Sequence, residues 1–229
     1  MEVNNLGELS CSVISGNPLT FVEDVKNLES GGIDSFHFDV MDGVFVPRLG
    51  LYPEYLKMLR NATQLPIEIH MMLENPEPFI DEFAKLGADH IIPHIEPLKH
   101  PVRTMMKIDE MGVKPGIAIN PGTPLIAIEP ILPFVDSVML MSINPGIVGH
   151  KLLDNTFSRL TKLRQIIGSE KRIKIILDGG VTFENAAQLL TAGADSIVCG
   201  AGTVFKDQKR ILENTRNLRK IVNSLQALN

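Results

Sequence analysis

The chain has 229 residues, 44% of them hydrophobic, which suits one domain around a large core. Its 22 Lys and Arg against 27 Asp and Glu give a net charge of −5, with no basic run to mark a nucleic-acid footprint. No apolar stretch reaches the length of a membrane span, and Met1-Glu2-Val3-Asn4-Asn5 lacks the basic and apolar regions of a signal peptide.

In chain order, the first expected strand covers 8–13 and carries Cys11 and Ser12. Cys11 and the only other cysteine, Cys199, make no disulfide framework and are expected as small buried hydrophobes in a reduced, cytoplasmic setting. The second strand, 34–39, holds His37 and Asp39 and runs into Val40-Met41-Asp42-Gly43. Residues two apart on a strand share a side, so His37 and Asp39 project together, and Asp42-Gly43 supplies the turn after them. Further strands are expected at 67–72, ending in Ile69-His70-Met71-Met72, and at 89–94, 114–119 and 136–141, the last ending at Met141. A seventh at 172–177 leads into Asp178-Gly179-Gly180, and an eighth at 195–199 leads into Gly200-Ala201-Gly202. Nearly continuous apolar runs such as Ile173, Ile175, Ile176 and Leu177 fit a parallel sheet covered on both faces. Between strands lie helical spacings, for example Phe79, Ile80, Phe83, Ala84, Leu86 and Leu160, Leu163, Ile166, Ile167.

One grammar repeats: a helix, a glycine, a polar residue, then a short apolar strand. It begins at Gly32, Gly87, Gly112 and Gly193, with spacings of 55, 25 and 81 residues, or two, one and three units of about 27. Such a glycine takes the left-handed conformation that ends a helix. Eight strand-helix units fit in the chain, which gives an α/β, single-domain (β/α)8 TIM barrel over 1–229. A doubly wound open sheet competes, but no Gly-x-Gly-x-x-Gly follows the first strand.

In such a barrel the functional groups gather where strands end. Ser12, His37, Asp39, His70 and Asp178 all fall at that rim. Two imidazoles and two carboxylates make a shell for one divalent metal ion, with Zn, Fe, Mn and Co all open. Met41, Met72 and Met141 recur at strand ends, either as core filling or as a polarizable, water-excluding wall. Gly179-Gly180-Val181 and Gly200-Ala201-Gly202 offer backbone N–H groups to a phosphate, the second set before an expected helical stretch at Thr203-Val204-Phe205. Asn144-Pro145-Gly146-Ile147-Val148-Gly149 is expected to close over a ligand. His94 and Glu96 form another same-side pair, expected either to hydrogen-bond other rim groups or to be purely structural, while His90 and His100 are expected to be without function. Lys174 falls near a strand start, and no lysine occupies a strand's carboxyl end where a Schiff base would form.

Taken together, Ser12, His37-Phe38-Asp39-Val40-Met41-Asp42-Gly43 with Phe45-Val46-Pro47, His70-Met71-Met72 and His94-Ile95-Glu96 are a specific set. Asn120-Pro121-Gly122-Thr123-Pro124, Met141 to Gly146, Asp178-Gly179-Gly180-Val181 and Gly193-Ala194-Asp195 complete it. In these motifs the chain resembles the ribulose-phosphate 3-epimerase family. The resemblance implies a barrel of the ribulose-phosphate-binding type and a metal-dependent enzyme that inverts C3 of a ketose phosphate. It implies metal ligands at His37, Asp39, His70 and Asp178, and proton transfer by Asp39 and Asp178 through a metal-stabilised cis-enediolate. It places Ser12, Met41, Met72, Met141, Gly146, Gly149, Gly179, Gly180, Gly200 and Ala201 against the substrate, and implies a homo-oligomer.

Departures from that family fall in the loops. Val44 replaces a usual His, Arg48 a usual Asn, and Ala201 a usual Ser. Pro145-Gly146-Ile147-Val148-Gly149-His150 stands where Pro-Gly-Phe-Gly-Gly-Gln is usual, and Val148 does not readily take positive φ. These changes leave the sugar open between ribulose 5-phosphate, a tetrulose phosphate and a hexulose 6-phosphate, the last in an allulose-6-phosphate 3-epimerase-like member. A lyase or decarboxylase on a related barrel is the alternative enzyme. Glu68-Ile69-His70-Met71 lacks the lysine such decarboxylases carry. A non-catalytic sugar-phosphate sensor is the third reading.

Overall fold

The computed structural model describes residues 7–147, 149–168 and 173–225. Eight parallel strands close into one barrel in chain order. They are β1 (Glu8–Ser12), β2 (Ser35–Met41), β3 (Ile67–Met72), β4 (His90–Pro93), β5 (Lys114–Ile119), β6 (Ser137–Met141), β7 (Lys174–Asp178) and β8 (Ser196–Cys199). Around it lie α1 (Phe21–Gly31), α2 (Pro53–Ala62), α3 (Ile80–Lys85), α4 (Pro101–Glu110), α5 (Thr156–Ile167), α6 (Ala186–Thr191) and α7 (Ile211–Ser224). This is the expected α/β, (β/α)8 barrel. Among the described residues no helix is long and apolar enough to cross a membrane.

Strand alternation separates two interiors. On β2 and β3, Phe36, Phe38, Val40, Ile67, Ile69 and Met71 join the layer between barrel and helices. Cys11 and Cys199 are register partners in that same layer, both free and buried. Burial, and the neighbouring Cys199, push the Cys11 thiol well above its usual range, consistent with an unreactive hydrophobe. Inside the barrel, Ile92, Ala118, Met139, Met141, Ile176 and Val198 from β4 to β8 form a separate apolar plug. Strands β1 to β3 instead send in Ser10, Ser12, His37, Asp39, Glu68 and His70, all buried. The polar third of the interior is where chemistry is possible.

The repeated Gly-x-Asp has a physical role. Asp34, Asp89 and Asp195 each accept the N–H of a residue on the preceding strand: Leu9 at 2.7 Å, Ile67 at 2.8 Å and Ile175 at 2.7 Å. Each also pairs with a helix arginine, Arg219, Arg60 and Arg164 respectively, which donates in turn to the carbonyl of Gly32, Gly87 and Gly193. Three of the four repeats thus carry one clamp that ties a helix end to two strand starts. At Gly112 the equivalent residue is Lys114, and the clamp is missing there.

Two elements differ from the regular pattern. The segment after β5 is a ten-residue 3-10 helix, Leu125–Phe134, because Pro130 and Pro133 remove two of the N–H groups an α-helix needs. Thr203-Val204-Phe205, expected as helical, is a chain of turns. Its N–H groups from Thr203 and Phe205 both converge on the Gly200 carbonyl, closing the loop locally before the next helix begins. Val148 and Arg172 lie outside the described residues.

Candidate active site

Register sets the centre. Asp39 on β2 stands opposite His70 on β3, one step below the pair Met41–Met72, while Met141 on β6 stands opposite Asp178 on β7. Four donor atoms, one each from His37, Asp39, His70 and Asp178, lie within 4.8 Å of one another. His37 Nε2 is 3.2 Å from Asp39 Oδ1 and 3.3 Å from His70 Nδ1, which is 3.5 Å from both Asp39 Oδ1 and Asp178 Oδ2. Beyond the cluster, His37 Nδ1 donates to Glu68 Oε1 at 2.8 Å, and Glu68 also accepts from Ser10 Oγ at 2.7 Å. With that proton on Nδ1, His37 Nε2 is the nitrogen that faces the cluster, where it holds either a proton or a metal ion. Ser12 Oγ donates to the outer oxygen of Asp39, Oδ2, at 2.5 Å.

Lone pairs and two carboxylates converging on one buried point require a positive charge between them. The protonation equilibria say the same. Burial alone would depress His37, yet the Asp39 carboxylate and its hydrogen bonds raise it well above the usual imidazole range. Burial likewise opposes the charge on Asp39, but His37 and His70 hold it far below the usual carboxylate range. Asp178 moves the other way, raised first by burial. Two nitrogens and two carboxylate oxygens in this arrangement fit a divalent transition-metal ion.

Around the cluster is a cavity of about 580 Å³. Ser12, Met41, Met72, Met141, Gly146, Gly149, Gly179, Gly180, Gly200 and Ala201 all line it, as does Arg48. The expected substrate contacts are therefore brought together on one wall or another. The loop after β6 reaches across the mouth: β2 and β6 are opposite in the ring, yet a Cβ on Gly146 (φ +79°) would sit 2.7 Å from Val46 Cβ. Gly180 (φ +65°) lets the same loop approach β7, since a Cβ there would lie 2.8 Å from the Leu152 nitrogen. Asn185 Nδ2 donates to the Gly180 carbonyl at 2.9 Å and fixes that turn. In the β8 loop, Thr203 Oγ1 accepts the Gly200 N–H at 3.1 Å, so Ala201 and Gly202 carry the N–H groups left for a ligand.

Two positions, Glu68 and Lys151, were given no role by sequence. Glu68 is the more important of them; its signal was the alternation Glu68-x-His70, the same spacing as His37-x-Asp39. Lys151 and His150 join Arg48 in the cavity lining, while Val44 is largely exposed. His94 lies just beyond β4, bridged to Ala118, and Glu96 comes two residues later. His94 Nε2 is 2.9 Å from His70 Nε2, and His94 Nδ1 is 3.1 Å from Glu96 Oε2. Burial opposes the charge on Glu96, but His94, Thr123 and the Asn120 N–H hold it at about 2.

A family model for the ribulose-phosphate 3 epimerase family matches residues 8–205. The chain belongs to that family. It is 40% identical over 218 residues to a ribulose-phosphate 3-epimerase of Aquifex aeolicus, covering 93% of this chain and 96% of the relative. A ribulose-phosphate 3-epimerase of Methanocaldococcus jannaschii is 37% identical over 223 residues, covering 97% of this chain and 93% of the relative. Among solved structures, KGPDC from Streptococcus mutans superimposes with a TM-score of 0.72 at 10% identity, covering 95% of this chain and 98% of that one. That last likeness concerns the barrel alone. Membership makes the chain an isomerase of the epimerase type, and its His/Asp cluster is one that could hold a metal ion.

Proposed function

We propose that the chain interconverts D-ribulose 5-phosphate and D-xylulose 5-phosphate by inverting C3, with Asp39 and Asp178 as the proton-transfer pair. One observation carries this reading: carboxylates from β2 and β7 reach the same buried cluster and face the same cavity. One carboxylate removes the C3 hydrogen as a proton, and the bonding electrons move into the C2 carbonyl to give an enediolate. The other carboxylate, in its acid form, then delivers a proton to the opposite face of C3. The roles exchange for the reverse reaction. Held by His37, Asp39, His70 and Asp178, a divalent ion of the Zn, Fe, Mn or Co class supplies positive charge to the substrate oxygens.

The remaining residues support the same reading. Ser12 orients Asp39 through its hydrogen bond. Met41, Met72 and Met141 line the site with no group that could divert the proton. The phosphate is proposed to lie against the N–H groups of Gly180, Ala201 and Gly202, under the loop that carries Gly146 and Gly149 and closes over the substrate. Arg48, in the same lining, adds a cation for the sugar phosphate. A domain over 1–229, a cytoplasmic setting and a homo-oligomer belong to the same proposal.

The test is a panel of ribulose, tetrulose and hexulose phosphates incubated with protein of measured metal content. Interconversion of ribulose and xylulose 5-phosphates, lost after chelation and restored by metal, is the expected outcome. Release of CO₂ or formaldehyde, or tight binding with no turnover of any sugar, would overturn it.

A further inference from the structure

The two imidazoles of the cluster are anchored in different ways. His37 meets its carboxylate, Glu68, directly. His70 meets one only through a second imidazole: His70 Nε2 faces His94 Nε2 at 2.9 Å, and His94 Nδ1 faces Glu96 Oε2 at 3.1 Å. Both histidine rings are fully buried and lie end to end, nearly coplanar, with centroids 5.0 Å apart and an interplanar angle of 22°, and the Phe45 ring packs against His94 with centroids 4.8 Å apart. The chain continues outward. Glu96 Oε1 accepts from the Asn120 N–H at 2.8 Å and from Thr123 Oγ1 at 2.6 Å. Arg159 of α5 donates to the carbonyls of Asn120 and Thr123 at 3.1 and 3.0 Å.

Proton bookkeeping along this row leaves one arrangement. A neutral imidazole has a single N–H. A carboxylate accepts only, so the His94 proton sits on Nδ1 and His94 Nε2 is an acceptor. That acceptor takes the proton of His70 on Nε2, which leaves His70 Nδ1 as a lone pair inside the cluster. The reverse assignment would aim an N–H from His70 Nδ1 into the space shared with His37 Nε2, 3.3 Å away, and would block ligation.

We propose that Glu96 and His94 are positioning residues that select the tautomer of His70 competent to bind metal, with Thr123 and Arg159 holding Glu96 in place. The proposal rests on the metal site proposed above. It adds that His70 is a ligand only while a carboxylate two hydrogen bonds away remains ionised and aligned.

Metal-stripped protein, titrated with Zn²⁺ against a chromogenic chelator, tests it. Glu96→Gln offers its amide N–H to His94 Nδ1 and so favours the blocking tautomer, whereas His94→Phe keeps a ring against Phe45 but removes both nitrogens. Each is expected to weaken Zn²⁺ binding about 10- to 100-fold. His94→Gln, whose amide oxygen can accept from His70, is expected to recover part of the His94→Phe loss. Thermal unfolding with and without Zn²⁺ separates positioning from folding: the stabilisation conferred by Zn²⁺ should shrink more than the metal-free stability does. If His94→Phe does not fold, Glu96→Gln carries the test. Parent-like Zn²⁺ affinity in Glu96→Gln, or a fall in metal-free stability with an unchanged Zn²⁺ increment, would overturn the proposal. A parent protein that binds no Zn²⁺ would instead overturn the metal reading on which it depends.

Discussion

At the residue scale, the barrel interior shifts two histidines in opposite directions, one buried and one half-buried. His37 is surrounded by acids and driven toward the cation, whereas His90, at the start of β4, is driven toward neutrality. Its Nε2 lies 2.9 Å from Ser137 Oγ, and burial pushes it down to about 4 despite the attraction of Glu68. The unfolded chain has an ordinary imidazole near 6.5, so below that pH it takes up a proton that the folded chain refuses. The contribution of His90 to stability is therefore expected to fall as the pH drops from about 6.5 to about 4 and to level off below. His90→Gln keeps a hydrogen-bonding partner for Ser137 without the titration. Urea unfolding at pH 7 and pH 5 should show a smaller loss in the variant than in the parent; equal losses would show that His90 is not the source.

At the element scale, the connections at strand ends decide more than the strands themselves. The Asp42 carboxylate accepts N–H groups from Val44 and Phe45 at 2.8 and 2.9 Å and from Glu74 at 2.7 Å, tying the β2 loop to the β3 loop above His37 and His70. At the other end, the Gly-x-Asp clamps hold helix ends to strand starts. Asp195→Asn weakens the charge-assisted contact to Arg164 at 2.5 Å while leaving an oxygen for the Ile175 N–H. Since that carboxylate is about half exposed, a loss of only ~1 kcal/mol in unfolding free energy is expected, with turnover per folded molecule unchanged. Denaturant unfolding alongside a turnover assay checks both. A large fall in turnover would connect this end of the barrel to the site in a way the geometry does not.

At the scale of the whole molecule, the strands and their order were legible because parallel β/α units announce themselves twice, in apolar strands and in the glycines that precede them. His37, Asp39, His70 and Asp178 were legible for a related reason: a polar residue that interrupts an apolar strand near its end has few alternatives in a closed barrel. Glu68 was hidden because its function depends on Ser10 and His37 across two strand pairings, a register that one strand's spacing does not contain. Thr203-Val204-Phe205 misled for the opposite reason, since a β-branched and aromatic run after glycine is compatible with a helix until Gly200 accepts two of its N–H groups. The 3-10 helix between β5 and β6 was marked by Pro130 and Pro133, but proline spacing names the hydrogen bonds lost rather than the structure that replaces them.

Asp39 from the polar third and Asp178 from the end of β7, above the apolar plug, line one cavity, from which they are proposed to act on opposite faces of C3. Deuterium uptake at C3 in heavy water, followed separately from each epimer with Asp39→Asn and Asp178→Asn proteins of confirmed metal content, tests this central claim most directly. Each variant should lose epimerisation yet still exchange C3 in one epimer only, and the two variants should exchange opposite epimers. Exchange of the same epimer by both, or full epimerisation by either, would contradict the two-carboxylate account.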